Sequence, residues 1–498
     1  MRNWQAAIAA GILLSACAPA AVDTDAPAPE ASSSDAGFPV EIAESERTAL
    51  DDYMDKPEDV YGWTKVAEIP GQGFTADILE LTSQTWRSEA DVDRPVWKHW
   101  LTVIRPNDVT TDTGFLYITG GSNDDEAPTS VPEMLIPVAM ETNSIVAELR
   151  MVPNQPLYYS DTPDVARYED DSIAYTWVKH TKTKEDEWLI RLAMVKSGVK
   201  AMDAIQEFTA SEEGGGHTLS EFVVSGASKR GWTTWLVGAV DERVSAIIPL
   251  VIDALNTNAL ARHHYEVLGF FAPALADYVH HGLIPHMEGD PDYQAVLDIE
   301  DPYEYFERGR MQLPKYVINA AGDQYFHPDT SQFYWDEMPE EKSLRYVPNA
   351  DHSLGGSDVV ETMIGFYQMI LNDTPRPTYS WTIRDEDGAI IVSTPDFPSE
   401  VRLWEAHNPD ARDFRVESLG RAYQSTVLQP SADGDYIAEI TAPESGFKAS
   451  FVELTFNTPS GHPFKVTTGV SITPNTFPFK WEDAAEQYAD TLGGENLD

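Results

Sequence analysis

A serine, an aspartate and a histidine each follow a separate predicted strand of this 498-residue chain, in an order suited to nucleophilic catalysis. Ser228 lies within VVSGASKRGWTTW (223–235), between a strand-like run and a helix-like run. Asp323 follows KYVINAAG, and His352 follows KSLRYVP. An imidazole can take the proton of a serine hydroxyl while a buried carboxylate orients the ring. The sequence therefore predicts Ser228 as nucleophile, His352 as general base and Asp323 as the orienting acid.

The segment around Ser228 departs from the G-x-S-x-G turn of many serine hydrolases. In that turn the chain bends sharply from strand to helix, so small residues are needed where backbones approach closely. Gly226 meets this need two residues before the serine, but Arg230 stands two residues after it and Gly231 comes one residue later. A serine between a strand and a helix is also an ordinary N-cap, so this segment alone leaves both interpretations open.

The acid and the oxyanion donors have alternatives. Asp329 is a rival acid, but Asp323 is favoured because it directly follows a strand, where sites of open α/β sheets lie. The Lys229 backbone N–H is predicted as one oxyanion donor. Gly121, in the GGSN loop after the strand FLYIT, is predicted as the other donor, with an ordinary tight turn as the alternative.

The sequence predicts neither a metal nor a cofactor. The pairs His263–His264 and His280–His281 lack HExxH spacing, and adjacent residues on a helix point apart. There is no P-loop and no dinucleotide fingerprint. The segment RDEDG (384–388) has too few spaced carboxylates for a calcium loop and predicts a hairpin turn.

The formal net charge of -48 restricts the partners. Nucleic acid is excluded because phosphate binding needs a basic surface, and an acidic surface also repels anionic membranes. Such a charge favours solubility, with a cationic ligand as the alternative. The expected partner is a small-molecule, peptide or polysaccharide substrate.

The N-terminus predicts export. Residues 1–17 place Arg2 before an apolar run and end in LSAC, which resembles a bacterial lipobox with Cys17 as the lipidated residue. An ordinary signal peptide with a chance cysteine is the alternative. Residues 18–46, rich in Ala, Pro, Ser and acids, predict a disordered tether. The expected location is the cell envelope, as an outer-membrane lipoprotein or a periplasmic or secreted protein, with the lipid as the only membrane anchor.

The remaining chain divides by its pattern. Alternating strands and helices over 47–375 predict an α/β-hydrolase domain with a mostly parallel sheet, in which a helical segment at about 254–314 forms a cap. Short alternating runs separated by turn residues predict a β-sandwich domain over 376–480. Residues 481–498 are predicted as an acidic tail.

Several long blocks resemble the PhoPQ-activated pathogenicity-related proteins, a branch of the α/β-hydrolases. The blocks are VPNQPL (152–157), EDDSIAYTW (169–177), SGASKRGWTTWLVGAVDERVSAIIPLVIDALN (225–256), DPYEY (301–305), LPKYVINAAGDQYFHPDTSQFYW (313–335), RYVPNADHSLGG (345–356), LWEAHNPDARDFR (403–415) and FVELTF (451–456). The resemblance covers about 50–480 and implies an exported protein with a hydrolase domain and a β-rich C-terminal domain. It implies little about substrate. The family includes secreted members that look like growth-repressing signals, so a non-catalytic binding role is the alternative.

The segment GASKRG also resembles the G-C-S-R-x-G turn of glucuronoyl esterases. That resemblance implies that the Lys229 side chain assists the oxyanion, and it suggests esters of uronic acids as one substrate class. The alternative is that Lys229 and Arg230 are solvated residues of the first helical turn.

Overall fold

A nine-stranded mixed sheet forms the centre of the structure, which is a computed structural model. The structure describes residues 42, 44–286 and 288–491. Cys17, the predicted signal peptide and the predicted tether up to residue 41 lie outside the described residues. Within the described part of the chain, no helix has the length and apolar character needed to cross a membrane.

The strands of the first domain define its fold. Across the large sheet the order is β1-β2-β3-β5-β4-β8-β9-β10-β11, and β6 and β7 form a separate hairpin. Neighbours are antiparallel from β1 to β5 and parallel from β5 to β11. Apart from the edge strand β1, this is the strand order of an α/β-hydrolase sheet, which confirms the predicted fold class. In chain order the strands are β1 (Gly62–Pro70), β2 (Phe74–Thr85), β3 (Val96–Pro106), β4 (Thr113–Ile118), β5 (Val146–Leu149), β6 (Leu157–Tyr159), β7 (Thr162–Arg167), β8 (Glu221–Ala227), β9 (Val244–Leu250), β10 (Lys315–Ala320) and β11 (Lys342–Val347).

Helices pack on both faces of this sheet. Helices α6 to α8 lie between β9 and β10, where the sequence predicts a helical cap. We call the segment 254–314 the helical insertion. The α-helices are α1 (Ala49–Met54), α2 (Leu135–Thr142), α3 (Glu169–Thr183), α4 (Ile190–Ala210), α5 (Lys229–Val240), α6 (Thr257–Leu268), α7 (Ala276–His280), α8 (Pro291–Glu300), α9 (Val359–Leu371), α10 (Val416–Leu419) and α11 (Trp481–Gln487).

Burial explains which strands the sequence predicted. Strand β10 is buried along its whole length, and β8 is buried at all but its ends, so each gives a continuous apolar run. Strand β1 was missed by the sequence reasoning. It lies at the sheet edge, where exposed and half-buried residues alternate, and its sequence GWTKVAEIP has no apolar run.

The sheet has a switch point where the chain winds in opposite directions. Strand β4 lies between β5 and β8, and Ile118 of β4 pairs with Gly226 of β8. The chain leaves β4 toward β5 on one side and leaves β8 toward β9 on the other. A crevice forms at the carboxyl ends of strands at such a point. The loop that contains Gly121 and the turn that contains Ser228 therefore begin at the carboxyl ends of two neighbouring strands.

The C-terminal region is a β-sandwich of two antiparallel sheets. One sheet has the order β12-β13-β16, and the other has the order β15-β14-β17-β18 with β19 paired to β17. Residues 384–388 form the predicted hairpin turn between β12 and β13. The strands are β12 (Ser380–Ile383), β13 (Ile390–Ser393), β14 (Glu400–Asn408), β15 (Gln424–Val427), β16 (Tyr436–Ala438), β17 (Phe447–Asn457), β18 (Pro463–Thr467) and β19 (Ser471–Thr473).

The sandwich packs directly on the hydrolase domain. The Tyr346 N–H of β11 donates to Thr467 Oγ1 at 2.9 Å, and the Lys465 N–H of β18 donates to Thr362 Oγ1 at 3.1 Å. Buried residues of α9 and of both sandwich sheets belong to one apolar cluster. The two domains lie in one compact unit.

The segment predicted as an acidic tail begins with the helix α11. The Tyr265 hydroxyl of α6 donates to Gln487 Oε1 at 2.7 Å, and the Phe271 N–H donates to the Tyr488 hydroxyl at 3.0 Å. The tail residues up to 491 thus pack against the helical insertion, and residues 492–498 lie outside the described part.

Candidate active site

Ser228 occupies a strained turn between β8 and α5. Its backbone angles are φ 59° and ψ -127°, which are unfavourable for a residue with a side chain. The Ser228 N–H donates to Leu250 O at 2.8 Å, and its carbonyl accepts from the Trp232 N–H at 3.0 Å. These two bonds hold the turn against β9 and against the helix that follows. This backbone geometry is that of a nucleophile elbow.

The glycines on either side of Ser228 sit where backbones approach. A Cβ on Gly226 would lie 2.7 Å from Arg230 O, and a Cβ on Gly231 would lie 2.9 Å from both Gly226 O and Leu250 O. Each distance is too short for a carbon–oxygen contact. The glycine that the common motif has two residues after the serine is therefore needed here one residue later.

Arg230 is buried under the turn and is not a solvated helix residue. Its Nη1 and Nη2 each donate to a carboxylate oxygen of Glu169 at 2.7 Å, and its Nε donates to Val152 O. A Cβ on Gly120 would lie 2.6 Å from Arg230 Nη2. The guanidinium thus fills the space beneath the loop that follows β4.

Lys229 shares the same carboxylate. Its Nζ lies 3.0 Å from Glu169 Oε2 and 3.2 Å from Asp170 Oδ2, and its side chain is 9% exposed. Although burial opposes ionisation, the Arg230 hydrogen bonds and the charges of Arg230 and Lys229 lower the pKa of Glu169 to about 2. Neither basic residue after Ser228 is solvated, so that interpretation of the sequence is wrong.

Gln155 connects Glu169 to the predicted oxyanion loop. Its Nε2 donates to Glu169 Oε1 at 2.6 Å and to Gly121 O at 3.0 Å. Its Oε1 accepts from the Glu169 N–H at 2.8 Å. Gly121 has φ 153°, and a Cβ there would lie 2.9 Å from Asp125 Oδ2. A single amide side chain therefore fixes the Gly121 loop relative to the start of α3.

His352 and Asp323 are in direct contact. His352 Nδ1 lies 2.8 Å from Asp323 Oδ2 and 3.0 Å from Asp323 Oδ1. A carboxylate can only accept, so in the neutral imidazole Nδ1 carries the proton and Nε2 keeps its lone pair. Nε2 is buried and has no hydrogen-bond partner among the described residues, so it is not hydrogen-bonded to Ser228. Catalytic hydrogen bonds are often long before substrate binds.

The β-sandwich contacts both loops that carry this pair. The Val416 N–H donates to Gly322 O at 2.9 Å, and a Cβ on Gly322 would lie 2.5 Å from Val416 Cγ2. Asn349 exchanges two hydrogen bonds of 2.9 Å with the backbone of Tyr423. The positions of Asp323 and His352 thus depend on residues from the second domain.

Asp329, the rival acid, belongs to a different cluster. Its Oδ1 accepts from His263 Nε2 at 2.8 Å and from His327 Nδ1, and its Oδ2 accepts from Arg412 Nη2 at 2.6 Å. Burial opposes its ionisation, but the charges of His263, His327 and Arg412 hold the pKa of Asp329 well below its usual range.

The same cluster has the composition of a possible metal site. The ligand atoms of His263, His327 and Asp329 all lie within 4.8 Å of one another. Both oxygens of Asp329 are engaged by these histidines and by Arg412, and His327 Nε2 lies 2.9 Å from Arg412 O. A guanidinium paired with the carboxylate competes with a divalent cation. Hydrogen bonding accounts for this cluster, which joins the helical insertion to the sandwich.

A cavity of about 80 Å³ opens beside Ser228. Tyr325 and Phe326 line it, and their ring centroids lie 4.4 and 6.1 Å from that of His352. Its acidic, basic and histidine lining residues are Asp170, Arg191, Lys229 and His264. The other large apolar or aromatic residues of its lining are Trp177, Trp232, Ile252, Leu260, Leu275, Tyr278 and Ile284. Residues of the helical insertion form much of this wall, so the insertion bounds the space next to the serine.

Sequence reasoning gave no role to Gln155, Glu169 or Arg191. Gln155 and Glu169 occur in the blocks VPNQPL and EDDSIAYTW, but nothing in the sequence connects them to Arg230. Arg191 offered a signal, since it interrupts the apolar run WLIRLAMV (188–195). A charged residue within such a run is buried and needs a partner.

Known proteins are similar to this chain over most of its length. A family model described as "PhoPQ-activated pathogenicity-related protein" matches residues 50–415. Autocrine proliferation repressor protein A of Dictyostelium discoideum is 38% identical over 460 residues, which cover 87% of this chain and 92% of that protein.

Solved structures with some likeness include esterases. Acetyl xylan esterase 1 from Thermoanaerobacterium sp. is 12% identical, covers 64% of this chain and 90% of its own, and has a TM-score of 0.41. Acetyl xylan esterase from Paenibacillus sp. R4 is 13% identical, covers 65% of this chain and 95% of its own, and has a TM-score of 0.43. At these identities the likeness says nothing about what this chain acts on.

Replacing Glu169 by Gln tests the ion pair beneath the elbow. We expect the free energy of unfolding in urea to fall by about 2 kcal/mol, because Lys229 and Arg230 lose their shared carboxylate. The loss is smaller than for a fully buried pair because the Glu169 side chain is 38% exposed. Glu400→Gln, which breaks an exposed pair with Arg402 on the sandwich, is the matched control and should change stability by less than about 0.5 kcal/mol. Equal losses in the two variants would contradict a special role for Glu169.

Proposed function

The chain belongs to the PhoPQ-activated pathogenicity-related protein family, and from that premise we propose that it is an exported serine hydrolase. In this proposal Ser228 is the nucleophile, His352 the general base and Asp323 the acid that orients it. The reaction is transfer of an acyl group from an ester or amide to water. The hydrolase scaffold itself is established by the sheet order and the family.

The observation that carries the proposal is the contact between Asp323 and His352 beside the Ser228 cavity. The carboxylate fixes the tautomer of His352 that leaves Nε2 free to accept a proton. Ser228 lies on a strained turn at the carboxyl ends of the strands, as do Asp323 and His352. Strain of this kind persists where the surrounding structure enforces it, and it is concentrated at functional sites.

The proposed reaction follows from these positions. Ser228 Oγ attacks the substrate carbonyl carbon while its proton passes to His352 Nε2. Asp323 stabilises the imidazolium that forms, and the imidazolium then protonates the leaving alcohol or amine. Water, deprotonated by the same nitrogen, attacks the acyl-enzyme, and Ser228 leaves with the proton returned. No cofactor takes part in these steps.

The negative oxygen of the tetrahedral intermediate needs hydrogen-bond donors. Lys229 is the first residue of α5, so its N–H has no acceptor within the helix and can face the oxyanion. The Gly121 loop is our candidate for the second donor, supported by its position on the strand next to β8. The network of Glu169, Gln155 and Arg230 would keep these two donors in register.

Export to the cell envelope completes the proposal. Cys17 would carry the lipid, and residues 18–46 would link that anchor to the catalytic head. The substrate would then be a small molecule, peptide or polysaccharide outside the cytoplasm.

A second candidate function comes from the relative that is 38% identical to this chain. Autocrine proliferation repressor protein A is named for a signalling role, and it aligns with 87% of this chain. A binding or signalling protein on a hydrolase scaffold would keep the fold without needing the serine. Covalent labelling of Ser228 separates the two candidates.

A fluorophosphonate probe should label the folded wild-type protein and not Ser228→Ala, because the probe reacts with an activated serine hydroxyl. Asp323→Asn should lower kcat/KM for the best ester by about 10³-fold or more, since the wrong tautomer of His352 is then favoured. Both effects are measured on protein whose circular dichroism matches the wild type.

Asp329→Asn is the matched control for the acid. It alters a buried carboxylate near the same edge, but one whose partners are His263, His327 and Arg412. We expect reduced stability and a much smaller loss of kcat/KM than for Asp323→Asn. Equal labelling of wild type and Ser228→Ala, or a larger loss from Asp329→Asn, would overturn the assignment.

The Lys229 side chain is a separate hypothesis. Its Nζ is buried beside Ser228 and could place positive charge near the oxyanion. Lys229→Met should then lower kcat about tenfold or more while KM changes little, since the charge acts on the transition state. Unchanged turnover of the best substrate would leave the lysine with the structural role that its ion pairs give it.

Lipidation of Cys17 can be tested in a Gram-negative host. Wild-type protein should incorporate labelled palmitate and sediment with membranes. Cys17→Ser should lose the label, because the single lipidated residue is removed. Unlabelled wild-type protein would favour the ordinary signal peptide.

A further inference from the structure

Arg191 is a buried charge at the wall of the proposed active site. It lies in the first turn of α4 and is fully buried, with a relative exposure of 0%. It lines the same cavity as Ser228. The proposed chemistry gives it no task, and fully buried arginines are rare unless they are paired.

Its partners satisfy part of the guanidinium. Arg191 Nε donates to Glu300 Oε2 at 2.9 Å, and the guanidinium lies over the Trp232 ring at 4.0 Å from its centroid. Trp177 Nε1 donates to the same Glu300 oxygen at 2.7 Å. Nη1 and Nη2 of Arg191 are buried without a hydrogen-bond partner among the described residues. Buried donors of this kind are uncommon in folded proteins and indicate a function or a bound group.

The charges around the cavity already balance in pairs. Arg191 faces Glu300, and Lys229 faces Asp170 and Glu169. Arg230 also pairs with Glu169. Burial, with smaller electrostatic effects of His327, Arg415 and His263, lowers the pKa of His264 to about 3, so this lining residue is neutral.

This balance selects between two kinds of ligand for Arg191. A carboxylate entering the cavity would add a negative charge without a cation of its own, in a wall that already contains Asp170. A neutral carbonyl oxygen can accept from Nη1 or Nη2 and adds no charge. A neutral acceptor is therefore the best match for Nη1 and Nη2 of Arg191.

We propose that Arg191 binds a neutral carbonyl oxygen of the substrate, so that the preferred substrates carry a second carbonyl group besides the one that Ser228 attacks. This inference rests on the proposed hydrolase function. It names the substrate class as oxo-acyl, amide-bearing or diester compounds in place of simple alkyl esters. Arg191 is then a specificity-determining residue that contacts the substrate away from the scissile bond.

The test compares activated esters that differ by one carbonyl. 4-Nitrophenyl pentanoate is compared with its 4-oxo analogue, and the hexanoate with its 5-oxo analogue. A second set places the same ketone in the alcohol part of a butyrate ester. For each ester, kcat/KM is divided by the rate constant for its hydrolysis by hydroxide, which corrects for differences in intrinsic reactivity. For wild type we expect kcat/KM to rise about tenfold or more with the ketone in at least one position, the range for a hydrogen bond to a charged donor.

The variant Arg191→Met with Glu300→Gln removes both buried charges at once, so neither is left unpaired. We expect the preference for the ketone to fall to about one in this variant. Arg308→Met with Asp51→Asn is the matched control, since it breaks another buried pair, with side chains 5% and 3% exposed, outside the cavity. The control should keep the wild-type preference.

The outcomes separate this inference from the function on which it rests. If wild type neither reacts with the fluorophosphonate probe nor hydrolyses any ester, the hydrolase proposal fails. If wild type hydrolyses the esters without preferring any ketone, the proposal for Arg191 is overturned, even where the double variant does not fold. It is equally overturned if the preference survives in the Arg191 variant. A further 4-nitrophenyl ester, the monosuccinate, carries a carboxylate in place of the ketone, and a preference for it over the ketones would also overturn the proposal.

Discussion

The ion pair between Glu169 and Arg230 is the interaction on which the rest of the site depends. It places a guanidinium beneath the turn at Ser228, where the common form of this turn has glycine. The same carboxylate holds Lys229, and through Gln155 it reaches Gly121. Four segments of the chain are thus joined by one polar network, in which Arg230 is buried and Glu169 is partly exposed. Such a network rigidifies a site when its members are satisfied, and it is costly when one partner is lost.

The β-sandwich holds a second part of the site. Its residues Val416 and Tyr423 hold the loops of Asp323 and His352, while Arg412 neutralises Asp329. Loops lie at the surface and are more mobile than the elements that they connect. The second domain packs against these two loops, so the sandwich is part of the scaffold of the site.

Much of this architecture could be predicted from the sequence. Apolar runs located the strands before Ser228 and Asp323, because strands buried on both faces consist of continuous apolar residues. Helix α5 (Lys229–Val240) follows Ser228, where the sequence predicts a helix-like run. The edge strand β1 was not found, since an exposed edge leaves no such run. The roles of Gln155, Glu169 and Arg191 were also missed, because their partners are distant along the chain.

The sequence by itself determined the fold class, the family and the order of the candidate catalytic residues, since these depend on local pattern and on long similar blocks. Only the tertiary structure decided that His352 contacts Asp323 and not Asp329, and that Arg230 is buried and not solvated. Both decisions rest on which charges meet in space. A carboxylate near the carboxyl ends of the strands pairs with the cation or imidazole that packing brings within about 3 Å. Neither the composition nor the spacing of the sequence predicts that distance.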